Sequence, residues 1–351
     1  MKKILLISNT VMHYRSNIYN EFYKMFLAIG YEFHVISNNY QHVGFEIIYK
    51  KHVLPFSVIK YARFINQLKP DVCINFLHLK DRMIIPLTIY CKWQGIPMIY
   101  WNHGINLRTP NNLFKNIIFH FIHHISSAII LYSDQQLKYI KNSDLKKTFI
   151  AWNTLNFTRE SKEKVAPPID VKLKYGIKEK YVLLYISRIL PYKGLDILLN
   201  AFKDVDNLGL VIVGGGLNIE QKKIIDAYSH YYYLGEKYGK DVDEIYNMGD
   251  IFSTPGHIGL AVNQAMYWGK PVIVLNRKHA PEICYLENGV NGWIVENPIE
   301  LKNKVLELIS NRDLLFKASK AARKTYEERM KLDNMFKGFH MAINYVSKTI
   351  K

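Results

Sequence analysis

Acidic residues are scarce in this chain: 30 Asp and Glu stand against 47 Lys and Arg, a formal charge of +17. The deficit is uneven, since residues 1–165 hold 21 Lys and Arg against 9 Asp and Glu, and residues 166–351 hold 26 against 21. Such an excess points to an anionic partner for the first half. Long apolar runs are missing as well. No stretch of about 18 apolar residues occurs, so no transmembrane helix is expected. The N-terminal run Ile4 to Ile7 is too short for a signal peptide and gives way at once to Ser8-Asn9-Thr10. Cysteine is limited to Cys73, Cys91 and Cys284, each alone in an apolar stretch. That spacing excludes a CxxC metal knuckle and a disulfide framework, and it fits a reducing, cytoplasmic compartment. A basic helix, zinc-type spacing and an RNP-like aromatic strand are all absent, so nucleic acid is not the expected partner. An anionic membrane surface, met peripherally from the cytoplasmic side, suits the basic half better. The alternative is that its lysines serve solubility alone.

What is present is alternation. Apolar runs of four to seven residues are interleaved with helical periodicity, the pattern of βαβ units and a parallel sheet. In the first half, strands are expected near 3–8, 33–37, 71–77, 97–101, 127–131 and 148–152, with helices at 16–29, 58–68, 80–94, 112–124 and 134–141. The polar, Pro-containing segment 157–170 reads as a linker. A second series follows, with strands near 181–187, 208–213, 231–234, 251–254, 271–275 and 293–295. Its helices are expected at 193–203, 217–229, 241–248 and 260–268, and a last helix at 330–351 with an apolar side of Phe336, Phe339, Ile343 and Tyr345. At 351 residues, two cores are the default. The expectation is two doubly wound, Rossmann-like α/β domains, 1–165 and 166–330, with 331–351 as a terminal helix.

Two places in the second series carry anion chemistry. Residues 251–275 compress a buried strand, the turn Pro255-Gly256-His257-Ile258-Gly259, a helix start at Leu260 and another buried strand. In an open α/β sheet the ligand crevice lies at the strand C-termini, so this turn is expected to bring free backbone N–H groups and a helix dipole there. Upstream, Arg188 and Lys193 follow the strand VLLYIS five residues apart. A guanidinium fork and a compact ammonium together suit a diphosphate; the alternative is two solvated loop cations. Gly214-Gly215-Gly216 follows Val211-Ile212-Val213, either for close approach of a ligand or as a tight turn.

Together, Arg188, Lys193-Gly194, the triple glycine, Gly259-Leu260 and Gly269-Lys270-Pro271-Val272 resemble the retaining glycosyltransferases of family 4 over roughly residues 180–295. The resemblance implies the GT-B fold, its two domains facing each other across a cleft, with the terminal helix packing back on the first domain. It also implies that the second domain binds a nucleotide-sugar and the first an acceptor saccharide, often lipid-linked. Transfer would be metal-independent and need no cofactor, with the leaving phosphate taking the acceptor proton. Glu236 falls near the family's nucleobase contacts, and Pro281-Glu282 and Asn291-Gly292 reproduce its downstream elements; Glu282 is otherwise an exposed helix-start carboxylate. The family's paired glutamates, aligned through Gly259-Leu260, fall here on Gly256 and Gln264. Gln264 would still offer an amide to ribose, while Gly256 offers only backbone.

In the first domain Tyr100-Trp101-Asn102-His103-Gly104 resembles the family's acceptor-side His-Gly, so His103 is a candidate donor to the sugar or its phosphate. His13-Tyr14-Arg15, after the first strand, resembles a subgroup's His-Tyr-Arg, and Arg15 is a candidate for contact with phosphate or an acceptor anion. Asn153-Thr154 ends the last strand at the same edge, where an N-cap or turn role is the alternative. The helix 112–124 carries Phe114, Ile117, Phe121 and Ile125 at helical spacing, a stripe that reads as core before it reads as membrane-binding. The biological role implied by the resemblance is a step in bacterial surface polysaccharide synthesis, such as capsule or lipopolysaccharide. A sugar-nucleotide epimerase of the same fold and a non-catalytic nucleotide-sugar scaffold stay open as alternatives.

Overall fold

The structure, a computed structural model, describes residues 1–107, 109–157 and 165–349. It divides into two compact units: residues 1–156 with 331–351, and residues 157–330. The division falls after Asn156, earlier than the boundary at 165 expected from composition. Most of the expected linker, 158–164, lies outside the described residues, and its end at 168–170 opens the Pro168–Tyr175 helix.

The first unit is built on a parallel sheet of order β5-β3-β1-β6-β7-β8-β9. The strands are β1 (Lys2–Ser8), β3 (Tyr31–Ser37), β5 (Lys50–Val53), β6 (Val72–Phe76), β7 (Met98–Trp101), β8 (Ala128–Leu131) and β9 (Thr148–Ile150). A short parallel pair, β2 (Thr10–Val11) and β4 (Asn39–Tyr40), lies beside it. The strands are apolar runs because both faces are covered. Ile4 and Leu6 pack with Phe22 and Phe26 of the His13–Ala28 helix and with Met335, Phe339 and Ile343 of the Leu332–Thr349 helix. Leu5 and Ile7 face the other way, toward Tyr61, Ile65, Leu87 and Ile122 of three further helices. The terminal helix lies close on the sheet: Gly338 faces the Ile150 carbonyl, where a Cβ would come within 2.2 Å of the oxygen. Phe339, fully buried, stacks edge-on against Trp101 at 4.7 Å. The edge strand β5, Lys-Lys-His-Val, lacks an apolar run, and its lysines keep the open edge from pairing with another chain.

The second unit repeats the plan with β10 (Tyr181–Ile186), β11 (Leu208–Val213), β12 (Tyr231–Tyr233), β13 (Ile251–Ser253), β14 (Val272–Leu275) and β15 (Gly292–Val295), in the order β12-β11-β10-β13-β14-β15. Every pairing is parallel. Two helices not anticipated from periodicity, Pro298–Ser310 and Arg312–Arg329, complete it. Each opens on an asparagine cap: Asn297 accepts from the Glu300 N–H, and Asn311 from that of Leu314.

Strand order reverses between β1 and β6 in the first sheet and between β10 and β13 in the second. Loops leaving these strands diverge to opposite faces, which opens a crevice at the strand C-termini. The residues singled out above lie in loops at those two edges or in the first turns of the helices that follow.

Candidate active site

In the second unit, three loops meet at the switch point. Arg188 leaves β10 and is exposed, while Lys193 is half-buried at the end of the Pro191–Lys193 turn. Lys193 Nζ donates to the His257 carbonyl at 2.7 Å, tying the β10 loop to the β13 loop. Burial lowers the Lys193 pKa, Arg188 pushes the same way, and Glu282 opposes both. These three charges therefore share one locality. Glu282 is 4% exposed and lies beside Gly259, which overturns the reading of it as an exposed helix-start carboxylate.

The glycines hold these loops together. Gly214 has φ +142°, and a Cβ there would sit 1.9 Å from the Ser187 carbonyl oxygen. Gly256 is needed for close approach, since a Cβ would lie 2.0 Å from the Tyr192 oxygen. Ile189 donates its N–H to the Gly215 carbonyl, fixing the Arg188 loop on the triple-glycine turn; Gly216 follows at the exposed rim. Glu236 is exposed next to Gly215 and accepts from the Tyr238 hydroxyl at 3.1 Å.

The β13 turn does not offer the row of free N–H groups expected from sequence. Gly256 N–H donates to the Lys193 carbonyl, His257 N–H to that of Tyr192, and Ile258 N–H to Nδ1 of His279. Those donors are consumed in joining loops, so the turn acts as a clasp on Tyr192 and Lys193. Its dipole is also short, since the Ala261–Tyr267 helix after Leu260 has two turns. Gln264 differs from expectation too. Its amide donates to Oδ1 of Asp243 at 3.1 Å, beside the Trp268 indole N–H on the same oxygen at 3.2 Å. Asp243 is nearly buried, and its pKa is raised by burial against those two hydrogen bonds.

In the first unit the structure brings Arg15, Asn153 and His103 to one edge. Arg15 is 4% exposed, and its Nη2 donates to Asn153 Oδ1 at 3.1 Å. Its guanidinium lies 5.0 Å from the Trp101 ring and 5.9 Å from that of Tyr132. Such burial leaves Arg15 little surface for the anion contact expected of it. His103 stands edge-on to the same Tyr132 at 4.4 Å. Burial, reinforced by His78 and Arg15, pushes its pKa down to about 3. His13 turns aside, exposed, with Nδ1 3.2 Å from Gln41 Oε1. The helix stripe also differs from expectation: Phe114, Ile117 and Phe121 of Leu113–Ile125 face solvent, while Phe119, Ile122 and His123 are buried.

Sequence reasoning missed Gln136, whose amide meets Nδ1 of His103 at 3.2 Å, and His279, which bridges Ile258 N–H to the Leu275 carbonyl. Ser133-x-x-Gln136 is readable as a helix-start capping box, but the contact of Gln136 with His103 and the role of His279 are evident only from tertiary proximity. Among the described residues no cluster of three or more His, Cys, Asp and Glu is arranged to hold a metal ion, and no helix is long and apolar enough to cross a membrane.

Residues 171–325 match the family model of glycosyl transferases group 1. An uncharacterised glycosyltransferase of Methanocaldococcus jannaschii is 30% identical over 70% of this chain, which spans 64% of that relative's length. The capsular polysaccharide biosynthesis glycosyltransferase CapM of Staphylococcus aureus is 25% identical over 78% of this chain and 76% of its own. Among solved structures, HepE of Anabaena in complex with UDP superposes with a TM-score of 0.77 at 15% identity, covering 98% of this chain and all of that one. The fold is that of the GT-B glycosyltransferases, and the match to group 1 glycosyl transferases spans residues 171–325.

Proposed function

We propose that the chain transfers a sugar, with retention of configuration, from a UDP-linked donor to a saccharide carried on a lipid. The observation that carries this reading is the Arg188 and Lys193 pair fixed by glycine loops at the switch point of the second sheet. The acceptor O–H attacks the anomeric carbon while the bond from that carbon to the diphosphate oxygen breaks, and the acceptor proton passes to the departing phosphate. Negative charge grows on the diphosphate, so cations held there stabilise the transition state more than the ground state. The reading asks for no metal and no cofactor. UDP is taken from HepE, which is solved with UDP and with UDP-glucose. Surface polysaccharide synthesis is taken from CapM.

The lipid-linked acceptor is supported by one face of the first unit. The neighbouring helices Ile84–Trp93 and Leu113–Ile125 expose Ile89, Trp93, Leu113, Phe114, Ile117 and Phe121. Residues 47–133 contain two acids, Asp71 and Asp81, and both are engaged: Asp71 accepts from the Lys3 N–H, and Asp81 is buried against Asn9 and the His78 N–H. Apolar side chains among lysines and no free acid suit the surface of an anionic bilayer. Phe114→Ser/Ile117→Ser should lose co-sedimentation with vesicles containing phosphatidylglycerol and keep its fold; equal binding to neutral and anionic vesicles would remove this part of the reading.

The donor assignment is tested by thermal stabilisation with UDP-, GDP- and ADP-sugars. At 100 times Kd a ligand adds about 2.7 kcal/mol to stability, so a rise with UDP-sugars alone is expected. No rise with any sugar nucleotide would overturn it. Consumption of donor with no acceptor present would favour an epimerase, and binding without turnover on any acceptor a scaffold.

A further inference from the structure

His103 sits in a hydrogen-bond chain whose polarity can be read from its far end. The backbone N–H groups of Tyr132 and Ser133 have only hydrogen to offer, and both donate to Oε1 of Gln136, at 2.9 and 3.2 Å. That fixes the amide: Oε1 accepts, so the group facing His103 is the Nε2 amino group, 3.2 Å from the ring's Nδ1. An amino group donates, so Nδ1 must accept and carries no hydrogen. Gln136 is 3% exposed, which leaves its amide no room to exchange partners with water.

We infer that Gln136 is a positioning residue that holds His103 as the neutral tautomer with its hydrogen on Nε2, so that the ring acts as a fixed hydrogen-bond donor and not as a base. Nε2 has no hydrogen-bond partner among the described residues, which leaves its N–H for a ligand. The groups around the ring agree with the neutral state: the Arg15 guanidinium and the His78 imidazole both oppose a second positive charge there. With its one lone pair committed to Gln136, His103 cannot take the acceptor proton, and the ligand atom it meets must be an acceptor, such as a sugar hydroxyl oxygen or a phosphate oxygen. This inference extends the glycosyl-transfer reading to the chemistry of one contact, and its spectroscopic test does not depend on that reading.

The test is nitrogen NMR of the full chain with 15N-labelled histidine, His103 being assigned by its loss in His103→Gln. The wild type at pH 7 should show a protonated Nε2 and a bare Nδ1. A protonated Nδ1, or a doubly protonated ring, would overturn the inference whatever the enzyme's activity. Gln136→Glu keeps an oxygen for the two backbone N–H groups but sets a second carboxylate oxygen against Nδ1. The hydrogen should move to Nδ1 or the ring should become charged, and kcat should fall about 10-fold or more while the donor-induced rise in Tm is retained. An unchanged His103 spectrum in a folded Gln136→Glu protein would show that Gln136 does not set the tautomer. Should that variant not fold, the wild-type spectrum still decides, and Gln136→Met, which offers Nδ1 no donor, should show both tautomers. If no acceptor is ever found, the glycosyl-transfer reading fails while the tautomer result stands.

Discussion

The two sheets present the same kind of edge and fill it in opposite ways. At the switch point of the second sheet the polar work is done by backbone and by long cations: glycines let loops close on one another, Arg188 stays exposed, and Lys193 is half-held by a carbonyl. At the first sheet's edge it is done by side chains held by other side chains: buried Arg15 by Asn153 under aromatic rings, and half-buried His103 by buried Gln136. Under the proposed transfer the second edge meets a diphosphate, large, charged and the same in every sugar nucleotide, which long cationic side chains on fixed loops suit. A neutral hydroxyl must be placed within a few tenths of an ångström, which calls for donors that cannot move. The difference between the units is one of preorganisation.

The comparison breaks most visibly if the second edge is stripped of charge. Arg188→Ala/Lys193→Ala should lower kcat about 1,000-fold, within the range for removing electrostatic donors from a transition state. The circular dichroism spectrum should be unchanged, since neither side chain belongs to the core. Turnover within a few-fold of wild type would sink the assignment of the donor site. Next in size is the first unit's own support. Phe339→Ala opens a cavity between the terminal helix, Trp101 and Phe22 and should destabilise that unit by about 3–5 kcal/mol. UDP-sugar binding, assigned to the second unit, should survive in the fraction that stays folded. Loss of binding in that fraction would mean that the second unit does not hold the donor by itself.

Much of this was legible in the chain, and the reasons for what was not are physical. The buried parallel strands announce themselves as apolar runs, because both faces of each sheet are covered. β5 was illegible because it is an edge strand of two lysines and a histidine. The helix Pro298–Ser310 carried a readable start, Asn297, Pro298 and Glu300, which periodicity alone passes over. The loop cations and glycines could be located because their residue types are unusual after a strand. What their backbone N–H groups do could not be read, since Lys193, Tyr192 and His279 claim three of them from 20 to 60 or more residues away. Gln136 is readable as the partner of Ser133 in a capping box, but nothing in the chain shows that the other end of its amide meets His103.

Acid sharpens the comparison, because imidazoles in both units titrate low. Burial lowers the pKa of His103 and His123 to about 3 from a usual 6.5, and lowers that of His279. The unfolded chain therefore binds these protons first. Their neutral state stabilises the fold fully above about pH 6.5, and stability falls as pH drops from there toward 3. Tm should decline steadily over that window, and His123→Leu should flatten the decline. Both ring nitrogens of His123 are buried without a hydrogen bond among the described residues, so the substitution should be neutral or stabilising at pH 8. A decline that His123→Leu leaves as steep as before would show that this imidazole is not buried neutral.

The smallest expected effect asks whether the second edge relies on side chains at all. Gln264 occupies a place where the resemblance puts a ribose contact, but its amide is spent on Asp243. Trp268 donates to the same carboxylate oxygen, so Gln264→Ala leaves Asp243 partly satisfied and should cost about 1 kcal/mol of stability. Affinity for UDP, followed by calorimetry, should change less than about 3-fold. A loss of 10-fold or more, about 1.4 kcal/mol, would mean that the amide leaves Asp243 when nucleotide binds. The second edge would then share the first edge's dependence on a side chain held by its neighbours, and the contrast drawn between them would narrow to the diphosphate alone.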